Sequence, residues 1–119
     1  MKSFLKRSIA KFQYAFQGLR HGLGKDRSIQ TQAMIGAVVI IGCIPFSLYI
    51  YEWILILSMI LLVLAAEFLN SAIETLCDKL YPEYHPEAKK TKDYAAAAVL
   101  LISMIAAVIG IYVIGGKLF

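Results

Sequence analysis

Three long stretches without charged residues divide the chain. Residues 33–51 and 94–116 carry no Asp, Glu, Lys or Arg, and residues 53–66 carry none before Glu67. The first and third stretches are long enough to cross about 30 Å of hydrocarbon as helices. The second reaches that length only if Glu67 and the residues after it are included. The pattern therefore predicts three membrane-spanning helices, over 30–51, 53–79 and 92–117.

A soluble helical bundle is the alternative to a membrane protein. Because 60% of the residues are hydrophobic and 17% are charged, too few polar side chains remain to cover three such helices. We therefore expect an all-α integral membrane protein that forms a single membrane domain over residues 1–119. The first 32 residues contain no apolar run of about 7 to 15 residues of the kind a secretory signal peptide needs, so the amino terminus is expected to be retained.

The amino-terminal segment has a helical pattern of its own. Its apolar residues recur at offsets of four and three, and basic residues lie off that stripe. The stripe consists of Leu5, Ile9, Phe12, Phe16 and Leu19. Residues 1–24 are therefore predicted to comprise an amphipathic helix on the membrane surface and a bend where glycines cluster near its end. Packing of the same apolar face on the protein's own spans remains an open alternative.

The distribution of basic residues predicts the orientation in the membrane. Of the twelve Lys and Arg residues, seven precede the first span, four lie at positions 79–92 around the second connection, and only Lys117 lies at the end of the third span. The turn between the first two spans carries only Glu52. The positive-inside rule then places the amino terminus and the 80–91 loop in the cytoplasm and the carboxyl terminus outside. The net charge of +4 indicates contact with anionic lipid headgroups, and no motif suggests nucleic acid.

Polar residues follow one face of the second predicted span. Glu67, Asn70, Glu74 and Asp78 fall within an arc of about 80° on a helix. A carboxylate near hydrocarbon is costly and usually belongs to a functional site. Interhelical hydrogen bonds and salt bridges are the structural alternative. They explain the pattern less well, because the Lys and Arg residues lie outside the spans and leave Glu67 without a counter-ion.

This set of side chains suits phosphoryl transfer at a membrane surface. Two carboxylates on one face, with a third supplied by Asp26, could hold Mg²⁺ together with substrate phosphates. Glu67 is placed to act as a general base toward a hydroxyl group. Lys92 and Asp93, at the start of the third span, could contact a phosphate and a hydroxyl. The two histidines lack the paired spacing that transition-metal sites use.

Three segments of the chain resemble one known family. They are KFQYAFQGLR, AAEFLNSAIETLCD and EYHPEAKKTKDYAAAAVL, and together they extend over nearly the whole chain. They resemble the small prokaryotic integral-membrane diacylglycerol kinases and undecaprenol kinases. The resemblance implies a homotrimer in the bacterial inner membrane with sites between subunits. It also implies transfer of the ATP γ-phosphate to a lipid hydroxyl at the cytoplasmic face.

The resemblance also implies roles for individual residues. Glu67 matches the general base, Asn70 a polar residue beside it and Lys92 the lysine that contacts phosphate. Glu74 and Asp26 match the Mg²⁺ ligands, although the first-segment acid of the family is usually Glu, one methylene longer than Asp. Asp93 matches the aspartate that orients the lipid hydroxyl. The positions near the nucleotide are Tyr14, Asp78, Tyr84, His85 and Lys92.

The lipid substrate and the alternatives to a kinase complete the sequence-based picture. The segment HPEAKKTKD is more similar to the undecaprenol kinase branch, so undecaprenol is favoured and diacylglycerol comes next. A small ion or proton channel, or a transporter subunit, would use the same acids to line a water-filled path. Spans one and three offer no deep polar residues to continue such a path. A purely structural protein would leave the acidic stripe without a purpose.

Overall fold

The chain folds into four α-helices joined by short connections. The structure, a computed structural model, describes Met1–Phe119 and contains no β-strand. The helices are α1 (Lys2–Lys25), α2 (Arg27–Cys43), α3 (Ile50–Leu80) and α4 (Pro86–Leu118), and a 3₁₀ turn at Ile44–Phe46 follows α2.

Three segments are long and apolar enough to cross a membrane, which confirms the all-helical, three-span prediction. They are Arg27–Phe46, Ile50–Leu80 and Pro86–Leu118. The chain is therefore a multi-pass membrane protein. At 31 and 33 residues, α3 and α4 rise about 46 and 50 Å, which exceeds the hydrocarbon thickness of about 30 Å. Several turns of both helices therefore project beyond the hydrocarbon.

Helix α3 is the centre of the packing. It pairs with α4 along most of its length and also contacts α2, whereas α1 packs mainly on α2. A small apolar core forms where Cys43, Ile56 and Val113 meet. Only 14 of 119 residues are buried, and many large apolar side chains are exposed. Such a surface is incompatible with water and belongs against lipid or other apolar groups.

The junction between α1 and α2 differs from the sequence prediction. The sequence predicts a bend near the glycines within residues 1–24, but α1 continues through these glycines and the chain turns at Asp26. The carboxylate of Asp26 caps α2, since its Oδ1 accepts a hydrogen bond of 3.1 Å from the Ile29 N–H. Gly22 is buried, so it serves close packing rather than a bend.

The connection between α3 and α4 is also shorter than predicted. The sequence predicts a loop over 80–91 and a helix from 92, but α4 already begins at Pro86. Proline is well suited to the first helical position, where its missing N–H costs nothing. His85 caps the same end, because its Nδ1 accepts a hydrogen bond of 3.1 Å from the Glu87 N–H. Only residues 81–85 remain outside the two helices.

Gly22 should tolerate no side chain. A Cβ atom at this position would clash with the Phe68 ring of α3 and lie 2.9 Å from Ile29 Cδ1. We expect Gly22→Ala to lower the free energy of unfolding by about 1–3 kcal/mol, because the packed neighbours must move. Thermal unfolding in detergent micelles measures the change. Gly18→Ala is the matched control: no atom lies within 4 Å of its Cβ, so the better helix propensity of Ala should leave stability equal or slightly higher. Equal effects of both substitutions would contradict the close approach.

Candidate active site

The polar stripe of α3 runs from a buried end to an exposed end. Glu67 and Asn70 are 6% and 8% exposed, whereas Asp78, farther along the helix, is exposed, and so is Glu74. The spacing of three and four residues keeps all four on one face. The structure therefore offers a shielded carboxylate at one end of the stripe and solvent-accessible carboxylates at the other.

Asn70 connects the two ends of the stripe. Its Nδ2 donates a hydrogen bond to Glu74 Oε1 at 3.4 Å. Its Oδ1 is buried and has no hydrogen-bond partner. A buried carbonyl oxygen without a donor is destabilising by about 1–3 kcal/mol, and few native groups are left in this state. Oδ1 is thus an available acceptor, placed beside two acids.

Asp26 joins this cluster from the junction of α1 and α2. The Ile29 N–H holds the pKa of Asp26 below its usual range, and the Ser71 hydroxyl of α3 contributes in the same direction. Its charge also acts on Glu67, as does that of Glu74. The two acids that the sequence assigns to metal binding therefore both lie within electrostatic reach of Glu67.

Two lysines in the first turns of α4 are already paired. Lys92 Nζ lies 2.9 Å from Asp78 Oδ1, which links α4 to the exposed end of the acidic stripe. Lys89 Nζ lies 2.7 Å from Asp93 Oδ2, one turn along the same helix. Both pairs are substantially exposed, so water and salt compete with them and either lysine can change partner at little cost.

A polar groove of about 400 Å³ lies between these pairs and the connection of α3 to α4. It gathers four of the residues assigned to the nucleotide, namely Asp78, Tyr84, His85 and Lys92, and Asp93 also lines it. Tyr14, the fifth, is exposed on α1 and is not part of the lining.

Six residues of this groove were not predicted from the sequence, among them Cys77, Tyr81 and Lys89. Cys77 and Lys89 line it, and so does Tyr81, whose ring packs against the ring of His85 with centroids 4.6 Å apart. Tyr81 and His85 both lie in the non-helical connection, so no helical period signalled their contact. Cys77 lies three residues beyond Glu74, so the helical period already placed it beside the polar stripe.

The donor set fits a magnesium ion shared with phosphates. No group of three or more His, Cys, Asp or Glu side chains is close enough to hold a metal ion without other ligands. Mg²⁺ does not require such a cage, since it is usually held by one or two carboxylates and by substrate phosphates. Glu74 and Asp26 supply carboxylates, and the unpaired Oδ1 of Asn70 is a further oxygen of the kind that hard cations prefer.

The sequence around this site matches a known family. The family model for prokaryotic diacylglycerol kinase matches residues 13–114, which include the acidic stripe, the groove and most of α4. The chain belongs to this family. The family is one of lipid kinases, so the buried acid and the polar groove lie in a membrane-bound phosphotransferase.

Individual relatives support the same assignment. The chain is 33% identical over 114 residues to undecaprenol kinase of Bacillus subtilis (strain 168), an alignment that covers 96% of the chain and 93% of that relative. It is 30% identical over 115 residues to diacylglycerol kinase of Haemophilus influenzae, with 93% and 91% covered. It is 31% identical over 102 residues to diacylglycerol kinase of Escherichia coli (strain K12), with 86% and 84% covered. The two kinds of lipid kinase are thus similarly distant from the chain.

Substitutions at Asp26 separate helix capping from metal binding in this kinase. Asn caps helices as well as Asp does, so Asp26→Asn should retain stability, whereas Asp26→Ala should lose about 0.5–2 kcal/mol. If Asp26 also binds Mg²⁺, Asp26→Asn should raise the Mg²⁺ concentration needed for half-maximal activity. Thermal unfolding and a Mg²⁺ titration of activity measure the two effects. An unchanged Mg²⁺ requirement in Asp26→Asn would restrict Asp26 to its capping role.

The capping role of Asp26 also predicts how the stability of the fold depends on pH in the acidic range. Because the Ile29 N–H lowers the pKa of Asp26 in the folded state, the charged cap stabilises the fold at pH values above the unfolded-state pKa of about 3.9. This contribution is lost as the pH falls through the folded-state pKa. Thermal unfolding at a series of acidic pH values measures the loss, which Asp26→Asn should not show.

Proposed function

We propose that the protein transfers the γ-phosphate of ATP to the hydroxyl group of a membrane lipid alcohol. The observation that carries this proposal is the pair Glu67 and Asn70, buried together with a free acceptor oxygen at the apolar end of an acidic stripe. That stripe ends at the groove that contains Lys92. A lipid hydroxyl approaches from the apolar end, and a nucleotide approaches from the exposed end.

Glu67 acts as the general base in this proposal. Its carboxylate accepts the proton of the lipid hydroxyl while the hydroxyl oxygen bonds to the γ-phosphorus. The bond from that phosphorus to the bridging oxygen of the β-phosphate breaks, and ADP leaves with the bonding electrons. Phosphoryl transfer depends mainly on positioning and charge neutralisation. The burial of Glu67 supports this role, because it limits competing attack by water.

The polar groove holds the nucleotide. Lys92 exchanges Asp78 for a phosphate oxygen and neutralises part of its charge, an exchange that the exposure of the pair supports. Tyr84 and His85 contact the nucleoside end, together with Tyr14 of α1. Asp93 is released from Lys89 and orients the lipid hydroxyl.

Glu74 and Asp26 would hold a Mg²⁺ ion together with phosphate oxygens. The ion would supply charge neutralisation on the transferred group. Asn70 contributes by donating to Glu74, which orients the carboxylate, and by offering Oδ1 to a ligand.

We propose the following setting for the site. α1 is an amphipathic helix on the cytoplasmic surface of the bacterial inner membrane, the amino terminus is cytoplasmic and the carboxyl terminus is outside. The exposed apolar side chains of α1, among them Phe12 and Phe16, support a membrane contact. The chain assembles as a homotrimer with sites between subunits, which would cover part of the exposed apolar surface of the spans.

Undecaprenol is the favoured substrate and diacylglycerol the second. The segment HPEAKKTKD supports this order. An ion or proton channel is less well supported, because the cavity between α2, α3 and α4 on the far side of Glu67 is lined mainly by apolar residues. A continuous ion path would need polar groups there.

A panel of lipid alcohols tests the proposal. Purified protein in mixed micelles is given ATP, Mg²⁺ and undecaprenol, dioleoylglycerol or ceramide, and the phosphorylated lipid is identified by mass spectrometry. We expect phosphorylated undecaprenol in the largest amount, and no product when EDTA replaces Mg²⁺. If dioleoylglycerol alone were phosphorylated, the proposed reaction would be supported, but the preferred substrate would be diacylglycerol rather than undecaprenol. ATP-independent ion flux in proteoliposomes, without any lipid product, would contradict the proposal.

A further inference from the structure

The polar groove contains a second lysine beside Lys92. Lys89 lies three residues earlier on α4, so the two side chains share one face of the helix, and both line the groove. Like charges at this spacing repel one another. Two ammonium groups that face one groove are therefore suited to a ligand with several negative charges, such as a triphosphate.

Both lysines are held by acids that also line the groove. Lys89 Nζ lies 2.7 Å from Asp93 Oδ2, and the two side chains are 57% and 61% exposed. Lys92 Nζ lies 2.9 Å from Asp78 Oδ1. Ion pairs as exposed as that of Lys89 contribute little to stability, because water and salt compete with them. Lys89 can therefore leave Asp93 as readily as Lys92 can leave Asp78.

The pair of Lys89 with Asp93 is poorly suited to stabilising α4. Within a helix, an acid four residues before a base is the favourable order, whereas here the base comes first. Lys89 is also the fourth residue of α4, close to the positive end of the helix dipole, where a cation is unfavourable. Helix stability thus does not account for this lysine, and its place in the groove is the better explanation.

The charges of the groove explain why the pairing matters. Three acids line it, namely Asp78, Glu83 and Asp93, together with the two lysines. While both lysines are paired with acids, a phosphate meets no free ammonium group there. A nucleotide brings several charged oxygens to the same place, and these compete with the carboxylates for the lysines. When Lys89 turns to a phosphate oxygen, Asp93 becomes available to another donor.

We propose that Lys89 binds a phosphate of the nucleotide and thereby frees Asp93 for the lipid hydroxyl. The inference rests on the proposed function and adds to it a link between the two substrates, since a bound nucleotide raises the affinity for the lipid. The lipid must raise the affinity for the nucleotide by the same factor. That factor cannot exceed the strength of the exposed ion pair, which limits it to about fivefold.

Binding of AMP-PNP, a non-hydrolysable analogue of ATP, tests the phosphate contact. Titration calorimetry with AMP-PNP and Mg²⁺ is performed on the protein in detergent micelles. Lys89→Met keeps the length of the side chain but removes its charge, so the Kd should rise about tenfold through loss of a charge-assisted hydrogen bond. Lys90→Met is the matched control, because Lys90 is the next residue, is exposed and does not line the groove. Its Kd should not change, and equal Kd values for the two variants would overturn the proposal.

Steady-state kinetics test the link between the substrates. The KM for the lipid is measured at low and at saturating ATP. In the unsubstituted protein and in Lys89→Arg, which keeps the charge, this KM should fall about two- to fivefold as ATP saturates. In Lys89→Met, where Asp93 is never held, it should be independent of ATP. A fall in Lys89→Met as large as in the unsubstituted protein would overturn the link.

The two measurements separate this inference from the proposed function. Weaker AMP-PNP binding in Lys89→Met, but not in Lys90→Met, would support the phosphate contact even if no lipid were phosphorylated. Lipid phosphorylation by both variants with unchanged AMP-PNP affinity would overturn the inference and leave the proposed function intact.

Discussion

Glu67→Gln should reduce kcat for lipid phosphorylation by about 10²- to 10⁴-fold, the usual contribution of a general base. The carboxamide has nearly the same shape as the carboxylate but cannot accept the proton of the hydroxyl. Because Glu67 is buried, water cannot readily substitute for it. Initial rates at saturating ATP and lipid, measured with the substrate identified in the lipid panel, give the change in kcat.

The substitution Glu74→Gln is the comparison for this result. Glu74 lies two turns from Glu67 on the same face but is exposed, and its proposed role is to hold Mg²⁺. The Glu74→Gln substitution should raise the Mg²⁺ concentration needed for half-maximal activity, and excess Mg²⁺ should restore part of the lost rate. Excess Mg²⁺ should not restore the activity of the Glu67→Gln variant. A kcat for Glu67→Gln within a few-fold of the unsubstituted value, with the same melting temperature, would remove Glu67 from the role of base.

The three spans were predictable because their signal is long and local. A bilayer demands about 20 apolar residues in succession, and no tertiary contact can substitute for that run. The ends of the helices were less predictable. Gly22 is compatible with a bend or with close packing, and only the position of Phe68 decides between them. Likewise Pro86 can end a loop or begin a helix.

The acidic stripe was predictable for the same reason as the spans, since it depends on the period of one helix. The groove depends on how α3 and α4 are aligned, which no local pattern encodes. The contacts of Lys92 with Asp78 and of Tyr81 with His85 were therefore not predicted from the sequence. The individual roles of these residues remain predictions that come from the family resemblance.

A buried ion pair at the other end of the bundle was also missed. Lys117 Nζ of α4 lies 2.7 Å from Glu52 Oε1 of α3, and their side chains are only 18% and 10% exposed. Glu52 also accepts a hydrogen bond of 2.8 Å from the Tyr49 N–H, and Lys117 Nζ lies 4.2 Å from the centre of the Tyr49 ring. In the sequence, both charges served only to predict the orientation of the chain in the membrane.

The sequence did contain a signal for this pair. Glu52 and Asp78 are separated by about 39 Å along α3, and Lys92 and Lys117 by about 38 Å along α4. The distance between the two acids of α3 thus nearly equals the distance between the two lysines of α4. When the helices are antiparallel, a single alignment therefore brings each acid next to one lysine. Both pairs form in the structure, and together they fix how far α4 is shifted along α3.

Breaking the buried pair should have the larger effect on stability. Glu52→Gln keeps the size of the side chain and an acceptor for the Tyr49 N–H, but it leaves the Lys117 charge without its counter-ion at a position largely shielded from solvent. Removal of one partner of a buried pair is strongly destabilising, and for a chain of this size we expect a fall in melting temperature of roughly 10 °C. Circular dichroism during thermal unfolding in detergent micelles measures it.

The double substitution Glu52→Gln with Lys117→Met distinguishes an unpaired charge from lost packing. Because it removes both charges, it should recover much of the stability that Glu52→Gln loses, and a double variant no more stable than the single one would contradict the ion-pair explanation. Asp78→Asn, which breaks the exposed pair with Lys92, should change the melting temperature little.

The difference in burial between the two ion pairs matters for the proposed catalysis. The shielded pair contributes more to the alignment of α4 on α3 than the exposed one does, so the proposed transfer of Lys92 from Asp78 to a phosphate would leave the helices around Glu67 in place.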